Sequence, residues 1–404
     1  MKNFFSNKLN ESIYYLLTTF IFQLISLLTF TILLKIFDEK VLSSYFYILS
    51  LTSILIGVIF IGNDKAFLYT KNNKDSIFYF NNSLKLILLF TSILILISIF
   101  FKSKILFFCV INFFFLSINY LSEILFFKNS SKYKVILFKN FNIIIFLILI
   151  FLINFEYLKI DLLLAYSAAN LLNFFFNIVG NKYLHINLNI IKFSNLSFLF
   201  IKNKSLVYIW LGDLFSILTF HLPTIILFNF FLKENIIYNI LYKFGFIPVF
   251  LINFAFGKVF DFNYFDNKNN NNIYKGFLVT RKIIFIFSIL YCIFFYIIVN
   301  NFSTLLFGNY HYLIPGYLNK GIILFFVMIN ASSLGSVFYI KKNYKELLYH
   351  QIANFFIIVF CLIILLLTKK FELFFNYLIY LSIIRYIILY ISINKKINFF
   401  KNAS

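Results

Sequence analysis

Val207–Phe228 reads VYIWLGDLFSILTFHLPTIILF. Its length and apolarity are those of a helix crossing the hydrocarbon core of a bilayer, which takes about 20 residues. Inside it stand Asp213, His221 and Pro223, with Trp210, the single tryptophan of the chain. Ionisable groups at such depth are costly and face a cavity or pair with one another. The stretch therefore sets the class of fold and marks where function is to be sought.

The rest of the chain has the same character. Its 404 residues are 62% hydrophobic and 12% charged, more apolar surface than a soluble domain can bury. Solid runs of Ile, Leu and Phe lack the alternation of barrel strands. With only 11 Gly and 3 Pro, the fold class is all-α, a polytopic integral membrane protein. Twelve spans are expected, at about 13–34, 42–62, 83–101, 105–127, 135–155, 160–179, 206–228, 236–257, 279–299, 317–340, 347–367 and 372–393. The basic connection 181–205 is expected to lie along the cytoplasmic leaflet. It divides an N-terminal six-helix lobe, 1–180, from a C-terminal one, 206–404.

Charge orients these spans. With a cytoplasmic N-terminus, the termini and the even-to-odd connections hold 25 of the 36 Lys and Arg, and the opposite side holds nine. This bias places both termini in the cytoplasm and accounts for the net charge of +22 without nucleic acid. The 63 Phe belong to a general excess of Phe, Ile, Asn and Lys and are not read as an aromatic site; Asn267–Asn272 (NKNNNN) reads as a loop. Cys109, Cys292 and Cys361 sit in apolar runs, so neither a disulfide nor a metal site is expected. The first apolar run lacks a cleavage site and reads as an uncleaved span.

The halves echo one another at an offset of 195, which relates Gly62 of FIGNDKAF to Gly257 of AFGKVFDF. Six spans per half make such repeats parallel. Three stretches then resemble the O-antigen flippases of the multidrug, oligosaccharidyl-lipid and polysaccharide (MOP) exporter superfamily. They are TFTILLKIFDEKVLSSYFYILSLTSILIGVIFIGNDKAFL (29–68), FFLKENIIYNILYKFGFIPVFLINFAFGKVF (230–260) and LLFGNYHYLIPGYLNKGIILFFVMINASSLGSVFYIKKNYKELLYHQI (305–352). The chain departs from that pattern at Asn63, Asp64 and Lys65, where a small-residue run and an Arg would stand. The resemblance implies two six-helix lobes forming a V around a cavity that opens alternately to each side. It implies a monomer in the bacterial plasma membrane that moves a polyprenyl diphosphate-linked oligosaccharide from the inner to the outer leaflet. A polysaccharide polymerase and chain-length machinery are the implied partners.

The candidate site residues are the charges inside spans. At about 1.5 Å per residue, Asp213 and Arg385 lie about 10 and 12 Å from the cytoplasmic side, while His221 and Lys243 share a layer nearer the outside. Asp213 and His221 are eight apart and share one helical face. On one reading Lys243 and Arg385 attract a diphosphate in a wet cavity and Asp213 titrates or holds Arg385. On the other, Asp213 and Arg385 form a structural pair, Lys243 snorkels and His221 bonds to backbone. Asp64, Lys65 and Glu123 mark the inner mouth, with Glu123 snorkelling or paired with Lys128. Pro223, Gly245 and Pro248 are candidate hinges. Trp210 and Tyr390 read as interfacial anchors. No cofactor is expected, although coupling to protons or sodium is compatible with these groups. The alternatives are a cation-coupled multidrug or metabolite antiporter, whose site would be acidic, and a membrane polymerase or sugar acyltransferase. The short outer loops and the absence of catalytic constellations count against an enzyme.

Overall fold

A backbone in hydrocarbon must satisfy its own hydrogen bonds, and apolar runs of this length do so as helices. The computed structural model describes residues 20–60, 62–64, 67, 73–128, 132–180, 204–245, 249, 270–340 and 343–402. The linker 181–203, Lys65, Pro248 and Gly257 lie outside them. A helix stands at each of the twelve expected spans. They are α1 (Phe20–Ile36), α2 (Glu39–Ile59), α3 (Asn73–Phe101), α4 (Lys104–Lys128), α5 (Lys132–Asn154), α6 (Leu162–Gly180), α7 (Lys204–Phe230), α8 (232–245), α9 (Asn270–Phe307), α10 (Pro315–Ile340), α11 (Tyr344–Thr368) and α12 (Phe371–Asn402). Among the described residues, eight of them are long and apolar enough to cross a membrane. Their outward faces carry residues such as Leu96, Phe100, Leu290 and Phe294, all more than half exposed. Such large apolar faces suit lipid rather than water.

Local chemistry sets the ends. Asp38 caps α2 by accepting the Val41 N–H at 2.8 Å. The turn after α2 passes through Gly62 at φ 74°, a conformation glycine reaches without strain. Pro315 opens α10, where its missing N–H costs nothing. Three helices run longer than the apolar runs predicted: α3 and α9 begin earlier, at Asn73 and Asn270, and α12 ends at Asn402. Polar flanks continue a helix beyond the greasy core, so hydropathy underestimates its length.

The chain forms two compact units, 24–232 and 233–404, the second also taking in residues 1–23. This division differs from the expected one across 181–205, because α7 belongs to the first unit and packs along α2. The α2 face is small at seven-residue intervals, Ser43, Ser50 and Gly57, which lets another backbone approach closely.

Each unit has the same inner adjacency. In the first, α4 packs on α3 and α6, and α5 on α6; in the second, α10 packs on α9 and α12, and α11 on α12. The ion pairs follow the same rule. Lys104 at the start of α4 bridges to Asp161 before α6, and Lys320 near the start of α10 bridges to Glu372 at the start of α12, 2.7 Å. The two units thus repeat one packing pattern, while the Gly62–Gly257 echo lies partly outside the described residues.

Asp161 also caps α6 by accepting the Leu164 N–H at 3.0 Å. Partial burial alone would raise its carboxyl pKa; the Lys104 ammonium and the Leu164 and Leu163 amides outweigh burial and hold it below the usual value. A depressed folded-state pKa contributes stability above the unfolded value of about 3.9 and loses it as pH falls through the folded one. Because the pair is largely exposed, Asp161→Asn is expected to cost no more than about 1 kcal/mol at neutral pH. Thermal unfolding across an acid series should show the variant and the parent converging as pH falls from the unfolded value of about 3.9 through the folded one.

Candidate functional site

The seam between α2 and α7 explains why the opening stretch keeps its polar residues. Going along it, the Trp210 indole Nε1 donates to the Gly57 carbonyl at 3.0 Å. His221 Nδ1 lies 3.1 Å from the Ser50 hydroxyl. The Ser43 hydroxyl donates to the Leu232 carbonyl at 3.3 Å, and the rings of Tyr47 and Phe228 pack with centroids 4.6 Å apart. Asp213 and His221 do share the face turned to α2, as their spacing predicts. The Trp210 indole is bonded within the unit, and His221 meets a side-chain hydroxyl. Pro223 lies within α7, which continues through it as one helix.

His221→Leu is therefore expected to strand the buried Ser50 hydroxyl, 2% exposed, at a cost of about 1–3 kcal/mol. Adding Ser50→Ala should recover most of that loss. Unfolding midpoints of the two single variants and the double variant in detergent measure the coupling; additive losses would contradict the bond.

Next to this seam is a cavity of about 150 Å³, lined by Gly57, Phe60, Asp64, Tyr120, Trp210, Asp213 and their neighbours Ile56 and Ile217. The Tyr120 hydroxyl donates to Asp64 Oδ2 at 2.8 Å. It also interacts electrostatically with Glu123 and Asp213. Asp64 and Glu123 are both buried, 6% and 9% exposed. The structure thus brings the expected inner-mouth acid Asp64 to one cavity with Asp213, and Glu123 is buried close to Tyr120. Tyr120 was missed by sequence reasoning, since nothing in the sequence relates it to a carboxylate 56 positions away. Among the described residues no group of three His, Cys, Asp or Glu could hold a metal ion.

The cationic candidates belong to the other unit. Lys243 stands on α8, and the Phe244 beside it packs against Phe295 and Phe307 with centroids 5.3 and 5.5 Å away. Arg385 stands on α12 with its Nε enclosed and without a hydrogen-bond partner. His350 of α11 interacts electrostatically with Arg385. On the same helix Tyr390 is stacked by the Arg281 guanidinium at 4.7 Å, a cation–π contact. All four intramembrane charges were expected in one half of the chain; Asp213 and His221 instead fall in the unit 24–232, and Lys243 and Arg385 in the unit 233–404. Gly245, a candidate hinge, packs tightly on α10: a Cβ there would stand 2.5 Å from the Phe325 ring.

No family model matches the sequence, and no curated protein is similar to it. Solved structures do match in shape. The chain is similar to an inward-facing multidrug resistance MATE family transporter of the MOP superfamily, with a TM-score of 0.73 at 11% identity over 95% of this chain and 96% of that one. It also resembles a MATE protein in complex with MaD3S, at 0.68 and 11% over 98% and 96%. An outward-facing multidrug resistance MATE family transporter matches at 0.63 and 12% over 96% and 97%. At such identity the likeness speaks for architecture alone: the chain has the all-α, two-unit fold of the MATE transporters of the MOP superfamily.

Proposed function

We propose that this protein is an alternating-access exporter that carries a polyprenyl diphosphate-linked oligosaccharide from the cytoplasmic to the outer leaflet of a bacterial plasma membrane. The observation that carries this reading is Arg385, a guanidinium on a bilayer-length helix whose Nε is buried without a partner. Such a group asks for an anion, and a diphosphate offers paired oxygens that the planar guanidinium can bind in bidentate fashion. Lys243 supplies a second cation in the same unit. The fold, shared with transporters solved in inward- and outward-facing conformations, supports alternating access. A polymerase acting on the delivered oligosaccharide would be the downstream partner.

The carboxylates around Tyr120 favour a second reading, in which cations drive export of a drug or metabolite. The two readings share the coupling step, protons or sodium bound at Asp64 and Asp213, and differ in cargo. Expression in a strain lacking its own flippase separates them. Restored surface polysaccharide is the expected result; resistance to cationic drugs without surface polysaccharide would overturn the first reading in favour of the second.

The charge bias places both termini in the cytoplasm. Lys71→Cys, Lys268→Cys and Lys342→Cys should therefore react with an impermeant thiol reagent only in opened cells. Lys102→Cys and Lys369→Cys should react in intact ones. The reverse pattern would invert the direction of transport.

A further inference from the structure

A second polar feature runs through the unit 24–232, away from the α2–α7 seam. Asn112 of α4 donates to the Ser167 hydroxyl of α6 at 2.9 Å, and Asn170 of α6 donates back to Asn112 at 2.7 Å. Asn142 of α5 joins by donating to Asn170 at 3.1 Å. One heptad on, Asn177 donates to Asn119 at 2.9 Å. Glu123 follows Asn119 by one turn of α4, and Tyr120 is its neighbour. From Asn112 to Glu123 the line covers about 16 Å at 1.5 Å per residue. One end points toward the Lys104–Asp161 bridge and the other toward the carboxylate cavity.

The line is not closed on itself. Ser122 Oγ, Asn142 Oδ1, Asn173 Oδ1 and Asn177 Oδ1 have no hydrogen-bond partner. Ser122, Asn173 and Asn177 are at most 1% exposed. Helix glue alone would pair such groups, because each orphan costs about 1–3 kcal/mol. Several unsatisfied acceptors and hydroxyls in one buried polar seam are the surroundings that hold internal water.

We infer that the α4–α6 seam holds a file of internal water molecules that carries protons between the Lys104–Asp161 end of the unit and the Asp64–Tyr120–Asp213 cavity. The asparagines do not titrate; they orient the waters. Each water accepts a proton on one side as it gives one up on the other, so only O–H bonds are exchanged. The proton comes from the bathing solution and ends on the carboxylate of Asp64 or Asp213, which becomes neutral. On the charge-bias topology the Lys104 end is the outer one, so the file would deliver the outer proton to the cavity. The inference does not depend on the cargo, so its failure leaves the export reading standing, and the converse holds.

Two measurements test it on the full-length protein in lipid vesicles. The first uses a background in which Cys109, Cys292 and Cys361 are replaced by Ala. Asn173→Cys and Asn177→Cys should react with a small cationic methanethiosulfonate at least about tenfold faster than Ala169→Cys, since only a hydrated thiol ionises to the reactive thiolate. Ala169 is equally buried on α6 but carries no polar group. Equal rates at the three positions would overturn the water file. The second measures carboxyl protonation by time-resolved infrared absorbance after a drop in pH. The Asn112→Leu, Asn142→Leu, Asn170→Leu triple variant, which exchanges the three mutually bonded amides for apolar groups of similar size, should slow protonation several-fold with the amount of folded protein unchanged. An unchanged rate would overturn proton carriage even if the thiols react. Should the triple variant not fold, Asn142→Leu alone is read by the same infrared measurement with the same outcomes.

Discussion

Arg385→Gln and Lys243→Ala are each expected to abolish export of the surface glycan while leaving the protein inserted and abundant. A hydrogen bond to a charged group is worth about 1.5–3 kcal/mol, so loss of either cation should weaken diphosphate binding by roughly one to two orders of magnitude. Arg385 should be the more sensitive of the two. Its Nε is buried without a partner, so the bound anion would satisfy it, and the uncharged amide of glutamine cannot replace the fork. Lys243→Arg should retain partial export if the position reads charge alone, and lose it if the compact ammonium matters. Ile384→Ala, next to Arg385 but 52% exposed, is the control and should export normally. The measurement is surface polysaccharide in a flippase-deficient strain, normalised to the protein level in the membrane. Full export by a Lys243→Ala, Arg385→Ala double variant would leave both residues structural and remove the main support for an anionic cargo.

The second large effect is steric. A Cβ at Gly245 would stand 2.5 and 2.6 Å from two ring atoms of Phe325. That ring is itself 1% exposed and touches Phe295, with centroids 5.1 Å apart. It has no room to turn aside, so Gly245→Ala should force α8 and α10 apart. Overpacking of this kind costs about 1–3 kcal/mol, and Gly245→Val should lower the folded yield further. Gly57 and Gly321 face the flexible tips of Ile217 and Leu241 at 2.7 and 2.9 Å, and alanine there should cost less. Gly316 meets nothing within 4 Å, and alanine there should be neutral or gain up to about 1 kcal/mol in helix propensity. Unfolding midpoints in detergent should rank Gly245→Ala below Gly57→Ala and Gly321→Ala, with Gly316→Ala highest. A neutral Gly245→Ala would mean that α8 and α10 do not approach so closely in the membrane.

The sequence by itself determined the all-α membrane class and the positions of all twelve helices. Both rest on local physics: a backbone in hydrocarbon must bond to itself, and runs such as Ile283–Ile298 leave it no other solution than a helix. The shared face of Asp213 and His221 was legible for the same reason, as helical spacing is a property of one segment. Which helices belong together was not. Nothing local in Lys204–Phe230 says that it packs on α2 in the unit 24–232; that choice depends on Ser43, Ser50 and Gly57 presenting a small face more than 150 residues away. The same holds for Tyr120 meeting Asp64 and for the asparagines of α4 and α6 finding one another. In an Asn-rich chain no single asparagine stands out. In lipid, where apolar surfaces gain little by meeting each other, close packing and buried hydrogen bonds select helix partners, and both are decided only when distant segments are brought together.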